Sequence, residues 1–373
     1  MKMSKSDIND NLNKSKSNLK PKFDKSDNNI NNFREIKNIK AKRLREGTKN
    51  NIRIKIIPTK FLLMILLFQS ILLCNENGDS NIILKIKGTG NIKIYNKIDK
   101  SNIESIFING ERVEEINSSD FYYNFVFPNN TIKINLKGVI KTAEEMFYTC
   151  ENIYEMDFSN FDTSQITDMT RMLRDCSSLE SINLSNFVTS NLEVMSYMFS
   201  GCSSLKSLDL SNFNTSKVVK MNSVFRNLTS LKSIDLSNFD TSNVVYLQCL
   251  FWGCTSLISV NISNFDTSET SQMQHMFRDC LSITSLDLSH FKTNKVTNIG
   301  NMFDGCSSLE YLNIENFIQP SSYTDIFNGV PDNIVICLSN TENAILNKLP
   351  KRECTLLSCS DDWKSNKKKN SGK

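Results

Sequence analysis

The chain has two histidines among 373 residues, His275 and His290, and neither has an acid and a nucleophile patterned around it. Serine is abundant, but a nucleophilic serine needs a base beside it. The 11 cysteines include no C-x-x-C pair, which argues against a zinc centre. Glycine is scarce, and "GTGN" at 88–91 lacks the third glycine and the βαβ setting of a dinucleotide loop. The expectation is therefore a non-enzymatic protein without cofactor or metal. With a net charge of +4, the chain as a whole gives no argument for nucleic-acid binding. The longest apolar run, Phe61 to Cys74, is 14 residues, short for a membrane span.

That run has a basic, Asn-rich leader. Residues 1–60 carry 17 Lys/Arg against 6 Asp/Glu and few large apolar side chains, and 1–55 is expected to be disordered. Residues 56–74 are expected to act as a signal peptide or an uncleaved signal-anchor. Either one exports the chain beyond Cys74, which makes this segment the sole expected membrane contact.

What the chain has in plenty is repetition. Phe161, Phe187, Phe213, Phe239, Phe265, Phe291 and Phe317 are spaced 26 residues apart. Such a period marks a solenoid in which each unit covers the apolar side of the next. Upstream of each Phe runs an L-x-x-L-x-L alternation such as Leu179, Ile182 and Leu184, the pattern of a half-buried strand. Downstream, Ile166, Met169, Met172, Leu173 and Cys176 follow the spacing of one helix face. Thr163 and Ser164 offer N-cap oxygens, and Ser190 with Glu193 makes a capping-box pattern. Each copy is expected to be a strand, an Asn-Phe turn and a short capped helix.

Stacking converts repeat positions into columns. Asn186, Asn212, Asn238, Asn264 and Asn316 precede the Phe column, with His290 the exception, and are expected to bond turn backbone in the adjoining coil. Cys150, Cys176, Cys202, Cys254, Cys280 and Cys306 form a column that Leu228 interrupts, so the site is expected to hold buried free thiols. The exposed strand face carries an acid-and-amide stripe at Asp157, Asn183, Asp209, Asp235, Asn261 and Asp287. Ser181, Ser207, Ser233, Ser259 and Ser285 flank it. This plate is the candidate binding face for an extended protein or a glycan. A solvated sheet face is the plainer reading, and calcium fits poorly because the carboxylates do not converge.

Residues 75–141 alternate in texture and suit a small β module capping the first coil, and 142–330 hold the repeats. Residues 331–363 suit a C-terminal cap and 364–373 a basic tail. In an oxidising compartment Cys337, Cys354 and Cys359 could close one bridge, Cys354 to either of the others. N-x-S/T sequons begin at Asn117, Asn129, Asn183, Asn214, Asn227 and Asn261. Of these, Asn117, Asn129, Asn214 and Asn227 are the candidate glycosylation sites off the strand stripe.

The motif "CSSLxSLDLSNFDTSxVxxMxxMF" resembles the BspA-like leucine-rich repeat of surface proteins, over about residues 142–330. The departures are Leu228 for Cys, Leu173 for Phe, His290 for Asn and Val188 for Asp. The resemblance implies surface display and adhesion to protein or glycan. With it, the expected fold class is α/β: a right-handed leucine-rich-repeat-like solenoid with one short strand and one short helix per 26-residue repeat and a small β N-terminal cap. The expected function is a cell-surface or secreted adhesion protein, with homotypic association a further option. The alternative is a structural coat or intracellular scaffold.

Overall fold

The structure, a computed structural model, describes residues 80–114, 121–318, 320–338, 344–348 and 355–357. The chain divides into two units, Met1–Leu73 and Cys74–Lys373, and all described residues belong to the second. The segments expected at 1–55, 56–74 and 364–373 lie outside the described residues, as do Asn117, Cys354 and Cys359. Among the described residues, no helix is long and apolar enough to cross a membrane.

The N-terminal part is an antiparallel β module. Its strands are β1 (Ser80–Lys87), β2 (Gly90–Tyr95), β3 (Ile103–Ile108), β4 (Glu111–Arg112), β5 (Phe121–Phe125) and β6 (Asn129–Leu136). β1 lies between β6 and β7 (Ile153–Asn160), antiparallel to both. Because β7 is the strand of the first coil, β1 pairs the edge that the coil would otherwise leave open. Lys85 and Lys87 extend the join through ion pairs to Glu155 at 2.7 Å and Glu180 at 2.8 Å.

From β7 onward the ladder is parallel and in 26-residue register. Met156 on β7 faces Ile182 on β8 (Ser181–Asn183). Ile234 on β9 (Ser233–Asp235) faces Val260 on β10 (Ser259–Asn261). Leu286 on β11 (Ser285–Asp287) faces Leu312 on β12 (Tyr311–Asn313). β13 (Val335–Cys337) and β14 (Thr355–Leu357) continue it.

The other side of each coil overturns the expected helix. Among the described residues there is no α-helix, only two short 3-10 turns at Lys100–Asn102 and Ala344–Lys348. The fold is a β-solenoid, not an α/β leucine-rich-repeat-like solenoid with one helix per repeat. The segment after each Phe is a pair of four-residue turns. Met172 N–H donates to Met169 C=O at 3.1 Å and Cys176 N–H to Leu173 C=O at 3.2 Å. Arg171 (φ 54°) and Asp175 (φ 61°) take the left-handed third position of those turns. The alternate N–H groups of Met169, Arg171, Leu173 and Asp175 leave the coil and donate to Val194, Ser196, Met198 and Ser200 of the next. These are inter-coil β bonds where a helix would bond four residues back. Parallel bridges run from Thr142 through Asp168, Val194, Lys220, Tyr246, Gln272 and Asn298 to Ser322, so the coils also touch as β structure on this side.

The apolar spacing misleads for a simple reason. Two consecutive four-residue turns send their first and last residues inward, here Met169, Met172, Leu173 and Cys176. That is the i, i+3, i+4, i+7 template of a helix face. All four are fully buried, so the spacing predicts the burial correctly and the backbone wrongly. Thr163 does not cap a helix either. Its Oγ1 accepts from Val188 N–H at 2.8 Å and donates to Val188 C=O at 3.1 Å in the next coil. The capping box fails likewise, since Glu193 N–H donates to Thr167 C=O.

The core is a set of side-chain columns. Besides the expected Phe column, a second aromatic spine runs through Phe199, Phe225, Phe251, Phe277, Phe303 and Phe327, near-parallel rings with centroids 5.4–6.3 Å apart. Offset stacking of this kind adds to the burial gain of each ring.

Candidate functional site

Coil stacking places the predicted stripe on one surface. Ser181, Asn183, Ser207, Asp209, Ser233, Asp235, Ser259, Asn261, Ser285 and Asp287 are all exposed, and Asp157 is half-buried. The register sets Asp157 beside Asn183, Asp235 beside Asn261, and Asp287 beside Asn313. Much of this chemistry is already used by the fold. One carboxylate or amide oxygen of each stripe residue accepts the backbone N–H two residues on: Asp157 from Ser159, Asn183 from Ser185, Asp209 from Ser211, Asp235 from Ser237 and Asp287 from Ser289, at 2.9–3.1 Å. This is an Asx turn repeated from coil to coil, and it explains why the position tolerates Asp and Asn alike. Ser211 N–H holds the Asp209 carboxyl below its ordinary value, and Ser237 N–H does the same for Asp235. The second oxygen of each group and the flanking serine hydroxyls remain on the surface.

The other predicted columns face inward. Asn212 Nδ2 donates to the carbonyls of Leu184, Ser185 and Phe187, and Asn238 does the same one coil on. His290 substitutes with Nε2 3.0 Å from Ile262 C=O. The column thiols are free and buried. Cys176, Cys202, Cys254, Cys280 and Cys306 donate to carbonyls 29 residues back, at 2.9–3.2 Å. Burial pushes Cys176, Cys254 and Cys306 up to about 12, which makes them inert packing thiols. Leu228 fills the gap, fully buried. Cys337 is disulfide-bonded. Of the sequon residues, Asn129, Asn214 and Asn227 are exposed. No group of His, Cys, Asp or Glu among the described residues could hold a metal ion.

The turn side carries a feature that the repeating letters do not reveal. Its columns bring together Tyr148, Arg174, Tyr197, Arg226, Trp252 and Arg278. The Arg174 guanidinium lies 5.1 Å from the Tyr197 ring centroid and 5.6 Å from that of Tyr148. Trp252 has Arg226 at 3.9 Å and Arg278 at 5.2 Å, from the coils before and after it. Its Nε1 donates to Asp279 Oδ2 at 3.1 Å, and His275 stacks on it at 5.3 Å. Burial, then the charge of Arg278, holds the His275 imidazole below its ordinary value, so it is neutral at neutral pH. The signal was available in the letters that vary: "RDC", "SGC", "RNL", "WGC", "RDC" and "DGC" end the successive turn segments.

An uninterrupted array of 26-residue coils with β contacts on both sides defines the class as a repeat β-solenoid. The sequence profile of DUF285, described as a Mycoplasma protein of unknown function, matches residues 141–234 and 227–333, together over half of the chain. The chain belongs to this family. The match covers the coils and indicates no enzymatic class. No curated protein and no solved structure matches the chain.

Proposed function

We propose that the protein is a non-enzymatic binding or adhesion protein of the BspA-like type, displayed at the cell surface or secreted. The observation that carries this reading is the rigid polar array. Coils in fixed register hold exposed serine hydroxyls and Asp/Asn oxygens in rows about 4.8 Å apart, a geometry that suits an extended partner such as a protein segment or a glycan. The apolar run 61–74 behind a basic leader supports export. The test is topology on intact cells. A C-terminal tag reached by antibody without permeabilisation, on a glycosidase-sensitive chain, is the expected result. A protected tag on unglycosylated cytosolic protein overturns the surface reading.

A further inference from the structure

The turn-side ladder has a two-coil period. Arg174, Arg226 and Arg278 occupy alternate coils, and Ser200 and Trp252 fill the coils between them. Two coils span about 9.6 Å, so the three guanidiniums form an evenly pitched row. Each arginine is followed by an Asx residue, and that residue differs. Arg174 Nε meets Asp175 Oδ2 at 3.2 Å, and Arg278 Nε meets Asp279 Oδ2 at 3.5 Å. Arg278 also reaches Asp304 of the next coil at 3.3 Å. Arg226 is followed by Asn227, and the next coil offers Trp252 where Arg278 finds an acid. Arg226 therefore makes no ion pair among the described residues, and its Nε is buried without a hydrogen-bond partner. Its planar group is nonetheless fixed on Trp252 at 3.9 Å, which limits the side-chain freedom lost on binding.

The surroundings lack donors as well as an anion. His275 lies within electrostatic reach of Arg226 and Arg278, and its Nδ1 is buried without a partner. So are Oε1 of Gln248 and of Gln274, which directly precede Cys249 and His275 in the chain. An ionised carboxylate side chain brings acceptors only. A polyhydroxylated acid brings several hydroxyl donors with each negative charge, which is what one free cation among neutral acceptors calls for.

We propose that the turn side binds an acidic glycan, with Arg226 receiving its sulfate or carboxylate group and the Arg174 and Arg278 coils on either side continuing the track. The exposed pairs Arg174–Asp175 and Arg278–Asp279 are weak enough to give way to further anionic groups. The proposal rests on reading the chain as a binding protein, and it names the ligand class and moves the site from the strand face to the turn side.

The test uses the purified full-length chain made without N-glycosylation, because Asn227-Leu228-Thr229 is a sequon. Immobilised heparin and polygalacturonate serve as the sulfated and carboxylated probes, with dextran as the neutral control and polyglutamate as the acidic polypeptide. The expected result is salt-sensitive binding to at least one acidic glycan, and the two probes distinguish sulfate from carboxylate. Arg226→Gln is expected to weaken binding about tenfold to a hundredfold, the range of a charged hydrogen bond. Asn227→Asp restores the Arg-Asp pair of the neighbouring coils, keeps the arginine and is compatible with the fold at a position where Asp175 and Asp279 already stand. It is expected to weaken binding similarly, while Arg112→Gln on the β module leaves it unchanged. Absence of binding to either acidic glycan, equal binding to polyglutamate, or indifference to both turn-side variants overturns the proposal. Cellular topology plays no part in this assay. A cytosolic chain that binds glycan loses only the surface reading, and a displayed chain that binds none loses only this one.

Discussion

Gly253 separates a turn from a helix by the sign of one measurement. It sits in the last turn of its coil with φ +76°, directly before Cys254. A Cβ built there lies 2.2 Å from Asn227 Oδ1 of the preceding coil. Gly253→Ala then carries two costs. An L-residue in the left-handed region loses about 1–2 kcal/mol. Moving the Asn227 side chain off its rotamer costs about 0.5–1.5 kcal/mol, because the obstacle is the mobile end of a side chain and not backbone. The expected loss is about 2–3 kcal/mol, read as a lower urea midpoint with unchanged slope. In a helix the same substitution stabilises by about 1 kcal/mol. The double variant Asn227→Gly/Gly253→Ala is expected to recover the steric part, about 1 kcal/mol, and leave the backbone part. A raised midpoint in the single variant refutes the turn geometry, and a double variant no better than the single refutes the contact between coils.

The columns yield two further outcomes. Thr267→Val removes an oxygen that accepts from Lys292 N–H at 2.8 Å and donates to Lys292 C=O at 2.9 Å. Thr267 is fully buried, so denaturant unfolding is expected to show a loss of about 1–3 kcal/mol, whereas a neutral effect contradicts the rung. On the strand face, Asp209 and Asp235 have folded pKa values below the ordinary 3.8 because backbone N–H groups favour the charged form. Their contribution is fully present above that value and is lost as pH falls through the lower folded ones, so thermal stability should drop on acidification below about pH 4. Asp209→Asn with Asp235→Asn keeps the Asx turns, as Asn183 and Asn261 do, and should flatten that part of the acid profile. An unchanged profile argues against the carboxylate turns.

The sequence makes some levels of this structure legible and hides another. The period, the buried letters and the column logic can be read from Phe161 to Phe317 without coordinates, because stacking requires each coil to repeat the inward residues of the last. The backbone between them is hidden because Met169, Met172, Leu173 and Cys176 satisfy a helix face and a pair of stacked turns equally well. What could have decided it is the residue before the cysteine column: Asp175, Gly201, Asn227, Gly253, Asp279 and Gly305. Gly, Asn and Asp are the residues that enter the left-handed region most readily, and the described backbone holds all six at positive φ. Asx and Gly alternate there because the Asx side chain of one coil occupies the space over the glycine of the next. The strand stripe was legible as a surface but not as a set of turns, since Asx turns depend on where the chain bends after the strand. The arginine ladder is hidden from a reading of repeats because it lies in the letters that differ, and those letters distinguish Arg226 from Arg174 and Arg278.

The central claim is that neighbouring coils meet as β structure on the turn side as well as on the strand side. Val194 and Lys220 form a parallel bridge there, which sets their backbones about 5 Å apart. Helices in that position would pack with axes about 8–10 Å apart. The measurement is oxidative crosslinking of the Val194→Cys/Lys220→Cys variant, read as a shift in non-reducing electrophoresis after proteolysis between the two sites. Near-complete disulfide formation in the folded chain is the expected result, because the spacing falls within the usual Cα range for a disulfide. Absence of the crosslink in a folded chain, beside ready formation in a strand-side Ser233→Cys/Ser259→Cys control, contradicts the β-solenoid.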